Sequence, residues 1–440
     1  MWFTKRVLFL WVFCSLTFQG QGQILRGTVT GFTGESVMLS YFSGDQRFVV
    51  DTIRVRNGEF EISLNYPAGF YSLIFDREHF FDLYVYDGIP NSRFTADFEE
   101  LDATMLWTGC QENLAFLKFR QQGLDIGNRV NDGSLSPENA SGIFSSWEEQ
   151  WKLENKTLQI VRFLGARDPM ADIAFEPSIN FRKWSQSYWQ QCALNDPAMI
   201  RSPFLLRNLD FYFDKVCPPV PDSMVAAIEV LFSEPIAAGV LDILVSKLTI
   251  RFEGSKVMGM DKAFVAMVDK FYRTGIATWE SEENLQKIVR KAEELSWNLI
   301  GSVSPDFEFI QADGRVKKLS EFRGGGYHVL YFWDATCGHC QTTTPVLQDF
   351  YNRFKSRGLE VIAITTESDL TDWKKYIADN DLVWTNGYDN RFSQINFRHY
   401  YYIPTTPLVL LLDGKGTIVA KNISIADLER IVSERLNQES

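Results

Sequence analysis

Cysteine is scarce in this chain, six residues in 440, and only Cys337 and Cys340 form a close-set pair. Structural zinc takes four ligands, and no second pair at suitable spacing accompanies this one, so no metal site is expected. Positive charge is also short. Lys and Arg number 44 against 56 Asp and Glu, a formal net charge of -12. Nucleic-acid affinity rests on cations meeting phosphates, so a nucleic-acid partner is excluded. Past the N-terminus there is no uninterrupted apolar run of the ~20 residues a membrane-crossing helix needs. The best stretch, Met224 to Leu248, is broken by Glu229, Glu234, Pro235 and Asp242. Internal repeats and low-complexity tracts are absent too. What remains is a 45% hydrophobic, 14% aromatic chain with ample material for packed cores and length for about three domains.

The first 22 residues read as a leader. Lys5 and Arg6 precede a 12-residue apolar core, Val7 to Phe18, and Gly20-Gln21-Gly22 places small residues before Gln23. Its loss takes the net charge from -12 to -14. Phe13 stands before Cys14 where a lipoprotein would carry a small residue, which argues against a lipid anchor. The expected location is therefore the periplasm or cell envelope, with no transmembrane segment in the mature chain. Export permits disulfides, yet five cysteines remain, an odd number: Cys110, Cys192, Cys217, Cys337 and Cys340. Cys192 and Cys217 are left open as paired or free. Cys110 reads as a small buried residue.

The mature chain divides into three patterns. Residues 23–112 alternate with period two, as at Val37, Leu39, Tyr41 and at Phe60, Ile62, Leu64, with Asn57-Gly58 as a hairpin signal, and predict a β-sandwich. Residues 113–298 turn to helical spacing, as at Leu285, Ile288, Val289, Ala292, Leu295 after Ser281 and at Val225, Ile228, Leu231, Phe232, and predict an α-helical domain. Within it, 127–146 is rich in Gly, Ser, Asn and Asp and reads as a loop. Trp147, Trp151, Trp184 and Trp189 read as core, not as a carbohydrate platform. Residues 299–440 hold near-continuous apolar runs, His328 to Trp333, Glu360 to Thr365 and Leu408 to Leu412, separated by the helical stripe Leu347, Phe350, Tyr351, Phe354. Strands buried on both faces and joined by a helix predict an α/β domain. Gly324-Gly325-Gly326 precedes a strand, and reads as a turn, not as a phosphate loop.

The chemistry sits where the first of these runs ends, at Cys337-Gly338-His339-Cys340. Residues i and i+3 share a helix face, close enough for the ~5.5 Å Cα spacing of a disulfide. Unpaired N–H groups and the positive end of the helix dipole favour a thiolate there. A free thiol of pKa ~8.5 is only about 3% ionised at pH 7, and a pKa of ~7 raises that to about half. Cys337 is expected to be the exposed nucleophile and Cys340 the buried resolving thiol. His339, as a cation, favours the thiolate and hence a more oxidising couple.

Trp333, the CGHC turn and Pro345 together resemble the thioredoxin fold. Ser304-Pro305-Asp306-Phe307, Asp313-Gly314 and Leu319-Ser320-Glu321-Phe322 sharpen the resemblance to the exported, TlpA-like, redoxin-type branch. It covers about 299–440 and implies the thioredoxin fold for that region. It also implies a cis-proline opposite the dithiol, for which Pro407 is the match and Pro404 the weaker candidate. Thr406 and Pro407 would then form the substrate-docking edge, with Gly338, His339 and Trp333 tuning the redox pair. Two departures stand out. Tyr331 and Thr343 occupy positions where relatives carry acids that take the resolving thiol's proton; Glu367 is the candidate replacement, and Asp334 reads as solvated or capping. The regions before 299 resemble domains of unknown function that accompany such modules, through Asp51-Thr52, Asn57-Gly58-Glu59-Phe60 and Thr108-Gly109-Cys110-Gln111-Glu112-Asn113. The expected function is exchange of disulfides with cysteine-bearing client proteins, as reductase or isomerase ahead of oxidase. It needs no cofactor beyond the Cys337–Cys340 disulfide and an unidentified thiol–disulfide electron partner. A peroxiredoxin-like peroxidase is the alternative, though its PxxxTxxC pattern is missing around Cys337. An envelope binding or assembly protein with an accessory redox domain is the other.

Overall fold

A computed structural model describes residues 23–44, 46–169, 181–367, 369–391 and 393–438; the leader expected over 1–22 lies outside them. The chain is multidomain, with N-terminal β-sheets, a central helical region and a C-terminal α/β domain. Its described residues divide into two compact units, those within 1–176 together with 187–208, and those within 177–186 together with 209–440.

In the first unit eight strands form two four-stranded sheets. These are β1 (Ile24–Thr30), β2 (Ser36–Ser43), β3 (Gln46–Arg54), β4 (Glu59–Ser63), β5 (Gly69–Ile74), β6 (Phe80–Val85), β7 (Ser92–Asp97) and β8 (Leu106–Thr108), with a one-turn helix α1 (Leu101–Thr104) before the last. The sheet orders are β4-β1-β7-β8 and β3-β2-β5-β6. The alternating apolar residues Leu25, Leu39, Phe60, Leu73, Phe81 and Phe94 all fall in one buried cluster, the signature of a sandwich. Asn57 and Gly58 adopt φ of 53° and 75°, and Arg56 and Glu59 bond to each other across them. A Cβ on Gly58 would lie 2.4 Å from the Val29 carbonyl oxygen. The expected hairpin nevertheless stops at this turn, because β3 continues in one sheet and β4 pairs with β1 in the other.

The expected loop at 127–146 is instead the end of one helix and the start of another. Helices α2 (Gln111–Asn131) and α3 (Pro137–Glu154) leave only 132–136 between them. Ser136 caps α3 through the Asn139 N–H, and Pro137 opens it, the favoured arrangement at a helix start. Phe119 packs on Phe144 and Trp151 with ring centroids 5.4 and 5.0 Å apart, and this contact outweighs the poor helix propensity of the glycines and serines. Trp151, Trp184 and Trp189 are buried, and Trp147 stacks on Trp151. The Cys110–Asn113 segment is architectural. Both Glu112 carboxylate oxygens accept the N–H groups opening α4 (Gln159–Gly165), at 2.9 Å each, and Asn113 bonds both backbone groups of Tyr84 at 2.8 Å.

Helices α5 (Phe181–Gln191) and α6 (Leu205–Phe211) contribute residues to both units. The second unit continues with α7 (Pro221–Leu231), α8 (Ala238–Glu253), α9 (Asp261–Met267) and α10 (Glu282–Ser296). Pro221 opens α7, and the Ser281 hydroxyl caps α10 by accepting from the Asn284 N–H. Cys192 and Cys217 are buried free thiols.

A seven-stranded sheet follows in the order β10-β9-β13-β12-β11-β14-β15. Its strands are β9 (Glu308–Gln311), β10 (Val316–Lys318), β11 (Tyr327–Trp333), β12 (Leu359–Thr365), β13 (Thr385–Asp389), β14 (Leu408–Leu412) and β15 (Ile418–Lys421). Its helices are α11 (Gly338–Phe354), α12 (Leu370–Asp379), α13 (Phe397–Tyr400) and α14 (Ile425–Gln438). The run read as buried on both faces, β11, is buried at all seven residues, with β12 parallel on one side and β14 antiparallel on the other. One face packs Val329, Tyr331 and Trp333 against Leu347, Phe350, Leu428 and Val432. The other packs Leu330 and Phe332 against Phe307, Phe397 and Tyr401. Gly326 is needed at the turn into β11, since a Cβ there would lie 1.8 Å from the Gly358 carbonyl oxygen.

Candidate active site

Strand β11 ends at Trp333, and α11 begins at Gly338. Cys337 is therefore the N-cap residue, still extended at φ -75° and ψ 121°, and Cys340 lies in the first turn. The three-residue bend 334–336, between Trp333 and Cys337, is held by carboxylates. Asp334 Oδ1 accepts the Thr336 N–H and hydroxyl, each at 2.7 Å. Glu367, just past β12, accepts from the Ala335 N–H and, at 3.3 Å, from the Thr336 N–H. The carbonyl of Cys337 takes the first helical bond, from the Gln341 N–H at 3.0 Å.

The two thiols face opposite environments. Cys337 is half-exposed, and Cys340 is fully buried. The Cys337 thiol is held below its ordinary pKa, first by the Cys340 N–H directed at its sulfur and then by the Thr406 side chain. Slight burial acts against this, while the Cys340 thiol and the His339 N–H add to the lowering. Burial pushes the Cys340 thiol up to about 11, with the Cys337 sulfur adding to the rise and a backbone bond from Asp334 opposing it. The Thr406–Pro407 peptide is cis, and the Thr406 carbonyl accepts the Cys337 thiol at 3.4 Å. Pro404 stands two residues outside that contact, exposed. Gly338 and His339 are exposed at the head of α11, while Trp333 is buried, stacked 6.0 Å from Tyr331 and edge-on to Tyr376 at 5.4 Å.

The departure at Tyr331, tyrosine in place of an acid, takes on a structural meaning here. Its hydroxyl lies 3.0 Å from Thr344 Oγ1, which itself donates to the Cys340 carbonyl at 2.8 Å. After burial, Cys340 adds to the raised pKa of both Tyr331 and Tyr376, and it shares a hydrogen bond with Tyr331. Burial raises the Tyr331 pKa, so its hydroxyl stays protonated and can donate to a sulfur anion but cannot take a proton. Sequence inspection noted Tyr331 but overlooked Thr344 and Tyr376; the i, i+4 spacing of Cys340 and Thr344 was the available signal. Thr343 is half-buried beside them on the helix. Glu367 sits under the bend, and burial followed by the adjacent Asp334 carboxylate pushes it up to about 7. Burial opposes ionisation of Asp334 as well, yet hydrogen bonds from Glu367 and Thr336 hold it below the usual range.

Residues 325–418 match the family model described as thioredoxin-like. Over 134 residues the chain is 27% identical to the thiol-disulfide oxidoreductase ResA of Geobacillus kaustophilus, spanning 30% of this chain and 75% of that protein. The C-terminal domain belongs to the thioredoxin-like thiol–disulfide oxidoreductases. ResA of Bacillus cereus is 26% identical to this oxidoreductase over 132 residues, 30% of this chain and 74% of the relative. A solved thioredoxin domain of a thiol-disulfide oxidoreductase from Bacteroides vulgatus is 31% identical to the oxidoreductase domain, with a TM-score of 0.29, covering 31% of this chain and 97% of that one. No helix among the described residues of the oxidoreductase is long and apolar enough to cross a membrane.

Proposed function

We propose that this oxidoreductase is exported to the cell envelope and reduces or isomerises disulfides of client proteins through Cys337 and Cys340. The observation that carries the reading is the asymmetry of the pair: an accessible thiol of lowered pKa three residues before a fully buried one near 11. The Cys337 thiolate attacks one sulfur of a client disulfide. A mixed disulfide forms, and the client's other sulfur leaves as a thiolate and takes a proton from water. Cys340 then loses its proton and attacks Cys337 Sγ. This closes the Cys337–Cys340 disulfide and releases the second client thiol, so two electrons and two protons pass to the client. An external dithiol partner restores the starting state. Glu367, near 7, is suited to accept the Cys340 proton, since a base works best when its pKa lies close to the working pH. The Tyr331 hydroxyl steadies the buried sulfur anion. The half-buried edge at Thr406 and Pro407 is suited to offer backbone to an extended client strand.

The test is Cys340→Ser. Exposed to disulfide-bearing envelope proteins, the variant should accumulate mixed disulfides that vanish on reduction and in a Cys337→Ser, Cys340→Ser double variant. Absence of adducts with every client and with a model disulfide overturns the reading.

A further inference from the structure

Beside the docking edge the second unit contains a cleft of ≈ 360 Å³, within the ~300–1,000 Å³ typical of ligand sites. One wall is helical: Phe252 at the end of α8, the 255–260 connection, Phe264 of α9 and Leu295 of α10. The facing wall belongs to the oxidoreductase domain: Tyr401, Tyr402, Pro404, Thr405 and Leu408. Pro404 and Thr405 are the lip, and the next residue is Thr406, whose carbonyl receives the Cys337 thiol. The cleft is thus walled by the same segment that carries Thr406, one residue short of it.

The two walls are fastened together. Lys421 of β15 is paired with Asp261 of α9 and donates to the Asn298 carbonyl at 2.6 Å. Trp297 packs edge-on to Tyr400 at 5.4 Å, and the Gly301 N–H bonds the Ile418 carbonyl at 2.8 Å. The lining combines an apolar surface with acceptors that lack a donor. Val257 and Met258 are 47% and 40% exposed. Asp261 Oδ1 and Asn298 Oδ1 are buried and meet no protein donor. Asn298 as a whole is 5% exposed. A flexible methionine-bearing surface adapts to varied side chains, and orphaned acceptors call for N–H groups.

Resting on the exchange reading above, we propose that this cleft receives the extended flank of a client's cysteine, seating an apolar side chain against Met258, Phe264 and Leu408 while client N–H groups meet Asp261 and Asn298. The helical region then selects clients for the dithiol, favouring cysteines set among apolar residues over those in polar surroundings.

The experiment uses the full chain, with two disulfide-linked peptides whose cysteine is flanked on both sides by leucine in one and serine in the other, and a small aromatic disulfide as reference. Wild type should reduce the leucine peptide about tenfold faster in kcat/KM than the serine peptide, the scale expected for burying one apolar side chain. Met258→Glu should remove that preference and leave the small disulfide unchanged. Val257→Asp, at a neighbouring exposed position, serves as the second variant. Equal rates for the two peptides in wild type, or a preference unmoved by both substitutions, overturns the proposal with the exchange reading intact. If the small disulfide is not turned over by wild type, the exchange reading itself fails. A Met258→Glu effect on sedimentation, with no change in peptide preference, would assign the cleft to a second copy of this chain and overturn the proposal as well.

Discussion

Two cysteines in this molecule occupy the same local position with opposite consequences. Cys110 is the N-cap residue of α2 at φ -115°, ψ 114°, and Cys337 is that of α11 at φ -75°, ψ 121°. Both are extended residues that face a helix's free N–H groups. Cys110 is 1% exposed, its sulfur 3.7 Å from the Tyr86 hydroxyl and 3.5 Å from Asn113 Nδ2, and the residue three places on is that asparagine. Cys337 is open to solvent, and the residue three places on is a thiol. A helix terminus therefore does not make a reactive cysteine. Access and a partner at i+3 do, and in the redox site both come from outside the first turn as much as from within it.

The comparison breaks if the two sulfurs react alike. Cys337→Ser should bring disulfide exchange to background and remove rapid alkylation of the native protein at neutral pH, read by mass spectrometry with a thiol-blocking reagent. Next in size is Tyr331→Phe. Losing one hydrogen bond to the buried sulfur should slow resolution of the mixed disulfide about fivefold, the equivalent of about 1 kcal/mol, measured by stopped-flow under single turnover, with formation of the mixed disulfide unaffected. Glu367→Gln sharpens the contrast through pH. Glu367 is ionised above about 7, so the wild-type resolution rate should rise through about 7 and level off. The glutamine variant should lose that inflection and keep the later rise belonging to Cys340, near 11. The smallest effect belongs to Cys110→Ser, for which exchange should match wild type on every substrate. A loss of activity there would show that Cys110 takes part in the chemistry.

The oxidoreductase domain was readable in outline because its signals are local. The buried run His328 to Trp333 and the stripe Leu347, Phe350, Tyr351, Phe354 each announce an element without reference to distant residues. Strands β9, β10 and β13 escaped notice; Thr385–Asp389 reads TNGYD, with no apolar period, and is a strand because β12 and β9 flank it. The 127–146 segment failed for the converse reason: its composition favours a loop, and aromatic packing between α2 and α3 prevails. Asn57-Gly58 announced its turn correctly but carried no information about which sheet the next strand would join.

By itself the sequence determined the kind of chemistry. Two sulfurs three residues apart at a helix head can bond to each other, and this follows from covalent spacing and helical pitch alone. The sequence also ordered the two sulfurs, the first exposed and the second buried; only tertiary structure decided that the second is sealed among Tyr331, Thr344 and Tyr376 and that the Thr406 carbonyl, 69 residues away, accepts the Cys337 thiol. Desolvation and hydrogen bonding act through space, and the groups that impose them here are delivered by strands and loops far apart along the chain.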